Sequence, residues 1–468
     1  MRISRVSAVA LAAMMAAAAA AAQEWPRFLG PNGSGVSASA GVPAEFGPAK
    51  NLAWKTAVPF SRSSPVVAGD RVFLTASENG KLVVMALDRA SGKTVWRQDI
   101  TPPRTSQIYR ANDAASPTPA TDGKNVYAFF QDLGLISFDA KGKERWRVPL
   151  GPFDSFYGLA ASPILAGDTV LMLCDARSKP FLMAVDAKSG KQRWRVERTE
   201  IRYEGYATPL IHQPATGNAQ VIVLGANRLD AYDVKSGEKV WWVRGLGYFP
   251  IGSPALGKDV VVVATYGGEG AVGPSFDEML KNDANKNGTL ERDEFKKDSE
   301  FYDQFGAFDR NSDGNLTREE WDDLQKGGIG DYGLMAVRVG GRGDVTQTHV
   351  AWRDKRMYNS LSSLMIYNDV LYVSKQAGII GAINPATGEM LKLERPKEPA
   401  GEYFASPVAA DGKVFFAGNS GKIIVLKEGK QWDFLAMNDV GEEIEATPAI
   451  AAGRLFVRTK NSLYCFGK

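Results

Sequence analysis

The chain has 468 residues, with 56 basic and 53 acidic side chains and a formal net charge of +3. The opposite charges interleave along it, which excludes the concentrated basic surface of a nucleic-acid-binding protein. Two cysteines, Cys174 and Cys465, exclude a disulfide-rich scaffold and lie far apart in apolar runs. In an exported protein they can pair, but two buried free thiols are the simpler prediction.

The N-terminus has the pattern of an export sequence. Arg2 and Arg5 precede an alanine-rich apolar run that ends at Ala22 with a small-residue cleavage pattern. Because no charged stop-transfer flank follows, residues 1–22 are predicted to be a secretory signal peptide, with a transmembrane anchor as the alternative. The mature chain is therefore expected in the periplasm or outside the cell, without a membrane span. Residues 23–50 follow as an N-terminal segment without an assigned role.

Strand starts centred on serine or threonine recur through residues 51–272 and 332–468. Most are followed by an apolar run, a Gly-Asp or Asp-Gly turn and a second apolar run, as in residues 64–76. Alternation bounded by such turns is typical of antiparallel hairpins. The eight starts are Ser64, Ser116, Ser162, Thr208, Ser253, Ser363, Ser406 and Thr447.

A second motif follows these starts. Residues 86–96, 184–194 and 231–241 share Ala-x-Asp-x-x-x-Gly-x-x-x-Trp, and residues 137–146 carry the same motif one residue shorter. The aspartate can accept backbone hydrogen bonds in the turn, and the glycine allows a positive φ. The tryptophan is predicted to pack against the neighbouring unit.

The motif resembles the tryptophan-docking repeat of the pyrroloquinoline-quinone (PQQ)-like β-propellers. The resemblance implies an all-β fold, an eight-bladed β-propeller. The chain ends after a third strand, whereas residues 51–59 carry an orphan tryptophan, Trp54; this N-terminal strand is therefore predicted to complete the last blade. Lys392 stands where blade six would have its tryptophan. The repeat spacing leaves extra residues, roughly 273–331, as an insertion in blade five.

The insertion contains two twelve-residue segments, residues 283–294 and 309–320, that fit the calcium loop of the EF-hand. Both have an acid at position 1, glycine at position 6 and glutamate at position 12; two acidic turns without metal are the alternative. Because the first ligands lie 26 residues apart, the middle helix is predicted to be short or shared between the two loops, with Gly306 as the candidate position for a break. The predicted ligands of two permanently bound calcium ions are Asp283, Asn285, Asn287, Thr289, Glu291 and Glu294, then Asp309, Asn311, Asp313, Asn315, Thr317 and Glu320.

Antiparallel strand order places the B–C turns and the inter-blade D–A loops on one face of a propeller. The insertion, between strands B and C of blade five, lies on that face, where the D–A loops are rich in aromatic and charged residues. Loops on a rigid scaffold often bind ligands, although the same residues can simply pack the loops together. The candidate ligand-binding residues are Arg110, Asp113, Tyr157, Tyr206, Tyr358, Tyr403 and Glu445.

The resemblance also bears on chemistry. PQQ dehydrogenases hold their cofactor beside a disulfide of adjacent cysteines, which this chain lacks, so PQQ is not expected. His212 and His349 lie in a turn and near a strand start, and no hydrolytic triad is indicated. The resemblance to non-catalytic propellers, including the outer-membrane-protein assembly scaffold, implies a calcium-binding scaffold module for another protein or a small ligand. The alternative is a PQQ-dependent quinoprotein dehydrogenase that acts on an alcohol or sugar.

Overall fold

Eight sheets form the ring of a β-propeller. Each has four antiparallel strands, in chain order except in the last sheet, and one sheet carries a fifth strand that pairs in parallel. The predicted eight-bladed fold is confirmed. The computed structural model describes residues 24–109, 112–201, 203–247, 250–265, 274–297, 299–309, 313–327, 332–355, 361–375, 378–398 and 400–467. The predicted signal peptide lies outside these residues. Within them, no helix has the length and apolar character needed to cross a membrane.

The strands of each blade are named A to D from the channel outwards. In blade one they are Val66–Ala68, Arg71–Glu78, Lys81–Asp88 and Thr94–Ile100. In blade two they are Ala120–Thr121, Asn125–Phe130, Gly134–Asp139 and Glu144–Pro149. In blade three they are Ile164–Ala166, Thr169–Cys174, Phe181–Asp186 and Gln192–Glu197. In blade four they are Leu210–His212, Gln220–Gly225, Arg228–Asp233 and Lys239–Arg244, and Gly343–Asp344 adds a fifth strand.

The second half of the ring repeats this plan. Blade five contains Ala255–Leu256, Val260–Thr265, Gly333–Arg338 and Val350–Asp354, with a short helix, Thr346–His349, before the last strand. Blade six contains Met365–Tyr367, Val370–Lys375, Ile379–Ile383 and Met390–Glu394. Blade seven contains Val408–Ala410, Lys413–Ala417, Lys422–Lys427 and Asp433–Asp439. Blade eight contains Ala449–Ala451, Arg454–Arg458, Ser462–Phe466 and, as strand D, Leu52–Ala57.

The N-terminal strand closes the ring. Leu52–Ala57 pairs antiparallel with Ser462–Phe466, as predicted. Trp54 then docks onto blade one, where its indole N–H donates to the carbonyl of Arg89 at 3.0 Å. Its ring covers Gly92, whose positive φ and missing side chain make room for it. This closure removes the free sheet edge that an open array would leave.

The same docking recurs between blades and explains the sequence motif. Each motif glycine takes a positive φ and lies under the tryptophan of the preceding blade, where a Cβ atom would contact the indole. The pairs are Trp96 with Gly142, Trp146 with Gly190, Trp194 with Gly237 and Trp352 with Gly388. Lys392 in blade six instead places its ammonium group 4.0 Å from the ring centroid of Trp432, and donates to the carbonyl of that residue. The predicted role of the tryptophans is confirmed.

The strand starts form an inner ring of hydrogen bonds. In seven successive links the backbone N–H of one start donates to the hydroxyl of the next blade at 2.9 to 3.1 Å, from Ser64 through to Thr447. The start predicted for blade two, Ser116, is wrong. Thr118 takes that position, because its hydroxyl accepts from Ser64 and its own N–H donates to Ser162. The serine and threonine repeat is therefore an inter-blade clamp.

Two calcium-loop segments form the insertion in blade five. Its helices are Phe276–Met279, Glu300–Phe308 and Arg318–Gly327, with short 3₁₀ turns at Leu280–Asn282 and Arg292–Glu294. The strands Leu290–Glu291 and Asn315–Leu316 join the two loops as an antiparallel pair, and Leu290 faces Leu316. The middle helix is short, as predicted, but the predicted break at Gly306 is wrong. The helix continues through Gly306, whose bare Cα fits against the ring of Phe156.

The N-terminal segment crosses the channel at the A–B turn end. Trp25 pairs with Val67 of blade one, and Asn32 exchanges two hydrogen bonds with Ile211 of blade four. Gly35 then accepts from Ala409 of blade seven. The segment contains a single 3₁₀ turn, Pro31–Gly33. Residues 24–46, whose role the sequence left open, thus bridge blades on opposite sides of the ring and cover one end of its channel.

Candidate functional site

A cavity of about 560 Å³ occupies the channel beneath the D–A loops. Its wall is built from the strand starts that form the inner hydroxyl ring, such as Ser162 and Thr208. Phe28 of the N-terminal segment also lines it. Around this frame lie larger side chains contributed by the loops: Arg62, Asn112, Tyr157, Tyr206, Ile251, Leu361, Phe404 and Glu445. A concave, largely apolar chamber with a few polar groups is the usual form of a small-molecule or peptide site.

One arginine joins three loops at the mouth of this cavity. The Nε of Arg62 lies 2.6 Å from a carboxylate oxygen of Glu445, and its Nη1 lies 3.9 Å from Asp113. Asp113 also accepts from the backbone N–H of Arg62 at 2.8 Å. Burial raises the pKa of Glu445, and Arg62 opposes that rise. Arg62 therefore connects the carboxylates of two different loops, Asp113 and Glu445, at the mouth of the cavity.

Two tyrosines of the neighbouring loops are tied to a buried carboxylate. Tyr157 and Tyr206 meet edge to face, with ring centroids 5.8 Å apart. The hydroxyl of Tyr206 donates to Glu204 at 2.8 Å, and Glu204 is 5% exposed. Ser155 and the N–H of Phe156 also donate to Glu204, and Arg177 forms an ion pair with it at 2.7 Å. Glu204 therefore fixes the orientation of the tyrosine that lines the cavity.

The candidate residues predicted from the sequence divide into three groups. Tyr157, Tyr206 and Glu445 line the cavity, and Asp113 reaches it through Arg62. Tyr403 does not line it: the residue is 5% exposed and packs against Phe416 of blade seven. Arg110 and Tyr358 lie outside the described residues. Whether any of these side chains binds a ligand stays a prediction.

Arg62 and Phe404 were not among the predicted residues. Arg62 belongs to the loop between the N-terminal strand and blade one, residues 58–65. The predicted ring closure already makes this segment a D–A loop. The same reasoning that selected candidates from the other D–A loops could therefore have selected Arg62. Phe404 adjoins Tyr403, but only Phe404 lines the cavity, whereas Tyr403 is buried against Phe416. The inward position of Phe404 needs the loop conformation, which the sequence pattern does not contain.

The first calcium loop has the internal hydrogen bonds of its motif. The carboxylate of Asp283 accepts from the N–H groups of Asn287 and Gly288 at 3.2 and 2.9 Å. Glu294 accepts from the N–H of Glu291 at 3.0 Å. Gly288 has a φ of 84°, which suits the sharp turn at position 6. The side-chain amides of Asn285 and Asn287 donate to Glu291.

The second loop repeats the pattern at equivalent positions. Asp309 accepts from Asp313 and Gly314 at 3.2 and 2.9 Å, and Glu320 accepts from Thr317 at 2.9 Å. Asn315 donates its N–H to Asp313, just as Thr289 donates to Asn287 in the first loop. Asn311 lies outside the described residues. Burial raises the pKa of Asp309, and the nearby carboxylate of Glu320 adds to that rise.

These residues fit calcium through the type of their ligand atoms. All the predicted side-chain ligands supply carboxylate, amide or hydroxyl oxygen, the hard donors that calcium takes. Across the described ranges, no three His, Cys, Asp or Glu side chains converge as a ready metal cluster. In the first loop, Glu291 and Glu294 accept from internal N–H donors. A bound cation would replace those hydrogen bonds.

The calcium module packs against blades three and four, although it is inserted in blade five. Ile201, Tyr203 and Ala226 of the propeller join the apolar core of the module. From the module side this core contains Phe276, Met279, Leu290, Phe295, Phe305, Leu316 and Trp321. In addition, Arg177 donates to the carbonyl of Asp309, the first residue of the second loop, at 3.3 Å. Arg177 thus contacts both a calcium loop and Glu204, which holds the cavity tyrosine.

These features define a class of protein: a closed, eight-bladed, PQQ-like propeller with a pair of EF-hand loops beside its cavity. The chain belongs to the family described as outer membrane protein assembly factor BamB, whose model matches residues 47–174, 142–273 and 342–468. A second family model, described as EF hand, matches residues 301–324, which include the second calcium loop.

Individual proteins of two kinds are similar to it. The outer membrane protein assembly factor BamB of Moranella endobia (strain PCIT) is 26% identical over 226 residues, which are 47% of this chain and 53% of that protein. The chain thus spans about half the length of this curated relative. The structure of BamB from Moraxella catarrhalis aligns with a TM-score of 0.55 at 17% identity, over 89% of this chain and 98% of that one.

The second kind is enzymatic. The quinohemoprotein alcohol dehydrogenase from Comamonas testosteroni aligns with a TM-score of 0.59 at 13% identity, over 97% of this chain and 82% of that one. At such identities the likeness establishes the propeller fold alone, because this fold carries both catalytic and non-catalytic sites. The choice between the two functions therefore rests on the chemistry of the residues at the site.

Proposed function

We propose that this protein is an exported, calcium-binding propeller that acts as a non-catalytic scaffold and docks another protein on its loop-rich face. The observation that carries the proposal is the composition of the cavity mouth. Phe404 lines the cavity and is 41% exposed, and Phe60 is 37% exposed with its ring centroid 5.4 Å from the guanidinium of Arg62, which pairs with Glu445. Exposed aromatic side chains beside charged ones are typical of protein interfaces, in which aromatic residues and arginine carry much of the binding energy.

Calcium has a structural part in this proposal. The two loops would hold one ion each through the twelve residues predicted from the sequence, and the ions would supply positive charge among crowded carboxylates. Exported modules of this kind bind calcium at about 10⁻⁴ to 10⁻³ M, where the surroundings keep them loaded. Through Arg177 and Glu204, an ordered second loop would hold Tyr206 in place at the cavity.

A quinoprotein dehydrogenase is the second candidate, and the volume of the cavity favours it. A chamber of about 560 Å³ with aromatic walls has room for a cofactor-sized ligand. The cysteines argue against it: Cys174 and Cys465 are free, buried and located in blades three and eight, far from adjacent positions. Bound PQQ would supply a two-electron oxidation, with Arg62 and Glu445 as the charged groups available to orient it.

Reconstitution separates the two candidates. We expect that PQQ and calcium added to the purified protein give no quinone absorbance band after desalting and no dye reduction with alcohols or sugars. A retained quinone band together with turnover would overturn the scaffold assignment.

A docking test addresses the scaffold directly. A photo-reactive phenylalanine analogue placed at position 404 should cross-link a discrete partner in the native cell envelope. Position 434 is the matched control, since Phe434 is 51% exposed but lies on strand D of blade seven, at the outer edge of the ring. Identical cross-linking patterns at both positions would contradict docking at the cavity mouth.

Calorimetry tests the metal sites independently of the partner. Glu294→Gln should remove the calcium bound by the first loop, and Glu320→Gln that bound by the second, because each loses the bidentate carboxylate at position 12. Unchanged binding stoichiometry in the double variant would refute both assignments.

A further inference from the structure

A second cavity, of about 320 Å³, lies at the covered end of the channel and shares no lining residue with the first. It forms where the N-terminal segment crosses blades two, three and four. Most of its wall is apolar side chain or backbone: Pro26, Thr121, Leu165, Ala166, Gly167 and Ile211. The remaining lining residues are Arg27 and Asn32. Asn32 is already occupied by its two hydrogen bonds with Ile211.

Arg27 is the unusual member of this wall. The residue is 5% exposed, yet its guanidinium makes one hydrogen bond, from Nη2 to the carbonyl of Pro209 at 2.6 Å. Its Nε is buried without a partner, and no carboxylate in the described part of the chain lies within ion-pair distance. Burial lowers the pKa of Arg27 to about 9.

Two other buried arginines show how this protein ordinarily accommodates such a group. Arg198 forms ion pairs with Asp175 and Asp230 at 2.8 and 2.9 Å. Arg458 has no carboxylate in contact, but three backbone carbonyls accept from it at 2.8 to 2.9 Å. A guanidinium presents five donors, and burying its charge without compensation is costly. Arg27, with one acceptor, therefore lacks the anion that would make its burial favourable.

We infer that the cavity beside Arg27 is a binding site for a small organic carboxylate, with the carboxylate on the guanidinium and an apolar body against Leu165, Ala166 and Ile211. A planar carboxylate matches the fork of an arginine with two parallel hydrogen bonds. Among the described lining residues, Arg27 is the one cation. Its single positive charge neutralises a monoanion, whereas a phosphate dianion would keep one negative charge unpaired. The apolar wall adds affinity for a short hydrocarbon chain.

Hexanoate is a suitable probe, titrated into the purified protein by calorimetry. Saturable binding is expected, whereas hexan-1-ol and inorganic phosphate should give none. Arg27→Gln should weaken hexanoate binding about tenfold or more, since a charged hydrogen-bond partner is lost. Arg147→Gln is the control: Arg147 forms an ion pair with Glu144 on the outer strand of blade two, and its loss should leave binding unchanged.

A second variant keeps the test decisive if Arg27→Gln does not fold. Ala166→Leu leaves the guanidinium intact and fills the cavity, so it should weaken hexanoate binding while the circular dichroism spectrum stays native. Three results would overturn the inference. They are no hexanoate binding to the unaltered protein at millimolar concentration, hexanoate binding in both cavity variants as tight as in the unaltered protein, and binding of phosphate in preference to hexanoate. The site shares no lining residue with the cavity beneath the loop-rich face, so none of these results bears on the scaffold proposal.

Discussion

The ring and the calcium module are stabilised in different ways. In the described part of the ring, a docked tryptophan covers a glycine of the next blade at five interfaces, and hydroxyl hydrogen bonds link neighbouring blades at seven. The module has one small apolar core, shared with Ile201, Tyr203 and Ala226 of the propeller. Repetition makes the ring cooperative, because a defect at one interface is felt by the closed array. We therefore expect the module to be able to lose its order while the ring stays folded.

The largest expected effect comes from breaking one repeated interface. Trp96 is 8% exposed, donates to the carbonyl of Ala140 and lies over Gly142 of the next blade. Trp96→Ala should lower the free energy of unfolding by about 4 kcal/mol, the usual cost of removing a buried tryptophan. Urea unfolding monitored by circular dichroism measures it. Val95→Ala, on the exposed neighbour in the same strand, should change stability by less than about 0.5 kcal/mol.

A smaller effect is expected where the module meets the ring. Arg177→Met leaves Glu204 buried without its cation and removes the donor to Asp309. We expect a loss of about 2 kcal/mol, less than the ~3–5 kcal/mol for a fully buried pair, because the Arg177 side chain retains some contact with water. A double-mutant cycle with Glu204→Gln should recover part of that loss. Additive costs in the cycle would mean that the two side chains are not coupled.

The ring closure supplies a test that depends on pH. Burial alone would raise the pKa of Glu442, but hydrogen bonds from Lys55, Thr459 and Tyr464 lower it from 4.5 to about 2. A carboxylate with a depressed pKa stabilises the folded state above its unfolded pKa and loses that contribution as pH falls from 4.5 towards 2. Since Lys55 is half-exposed, solvent screening limits the effect to about 1 kcal/mol.

Glu442→Gln should therefore lower stability by that amount at pH 7 and change it little near pH 2. Unfolding curves at the two pH values check the expectation. An equal loss at both would show that the hydrogen bonds, and not the charge, hold the closing strand.

Sequence periodicity explains why the ring was predictable and much of the site was not. The docking motif repeats, so its spacing revealed the blades, the insertion and even the closing strand that carries Trp54. Arg62 and the N-terminal segment are not part of the repeat. Their positions depend on contacts between residues far apart in the chain. The docking of the module on blades three and four could not be predicted from the sequence either. Nothing in the sequence around Ile201 and Tyr203 indicates that these residues pack against the module. Arg27 shows the limit clearly: its burial follows from the path of a segment without regular structure.

The smallest expected effect on the ring comes from the largest change to the module. Trp321 is fully buried, contacts Phe301 and Phe308, and donates to the carbonyl of Pro274. Trp321→Ala removes the centre of the module core, so calorimetry should detect no calcium binding by either loop. The free energy of unfolding of the ring, measured by urea, should nevertheless stay within about 0.5 kcal/mol of that of the unaltered protein. The substitution removes no contact between blades. If Trp321→Ala instead lowers the midpoint as much as Trp96→Ala, the module is part of the cooperative ring, and calcium must then stabilise the whole propeller by mass action.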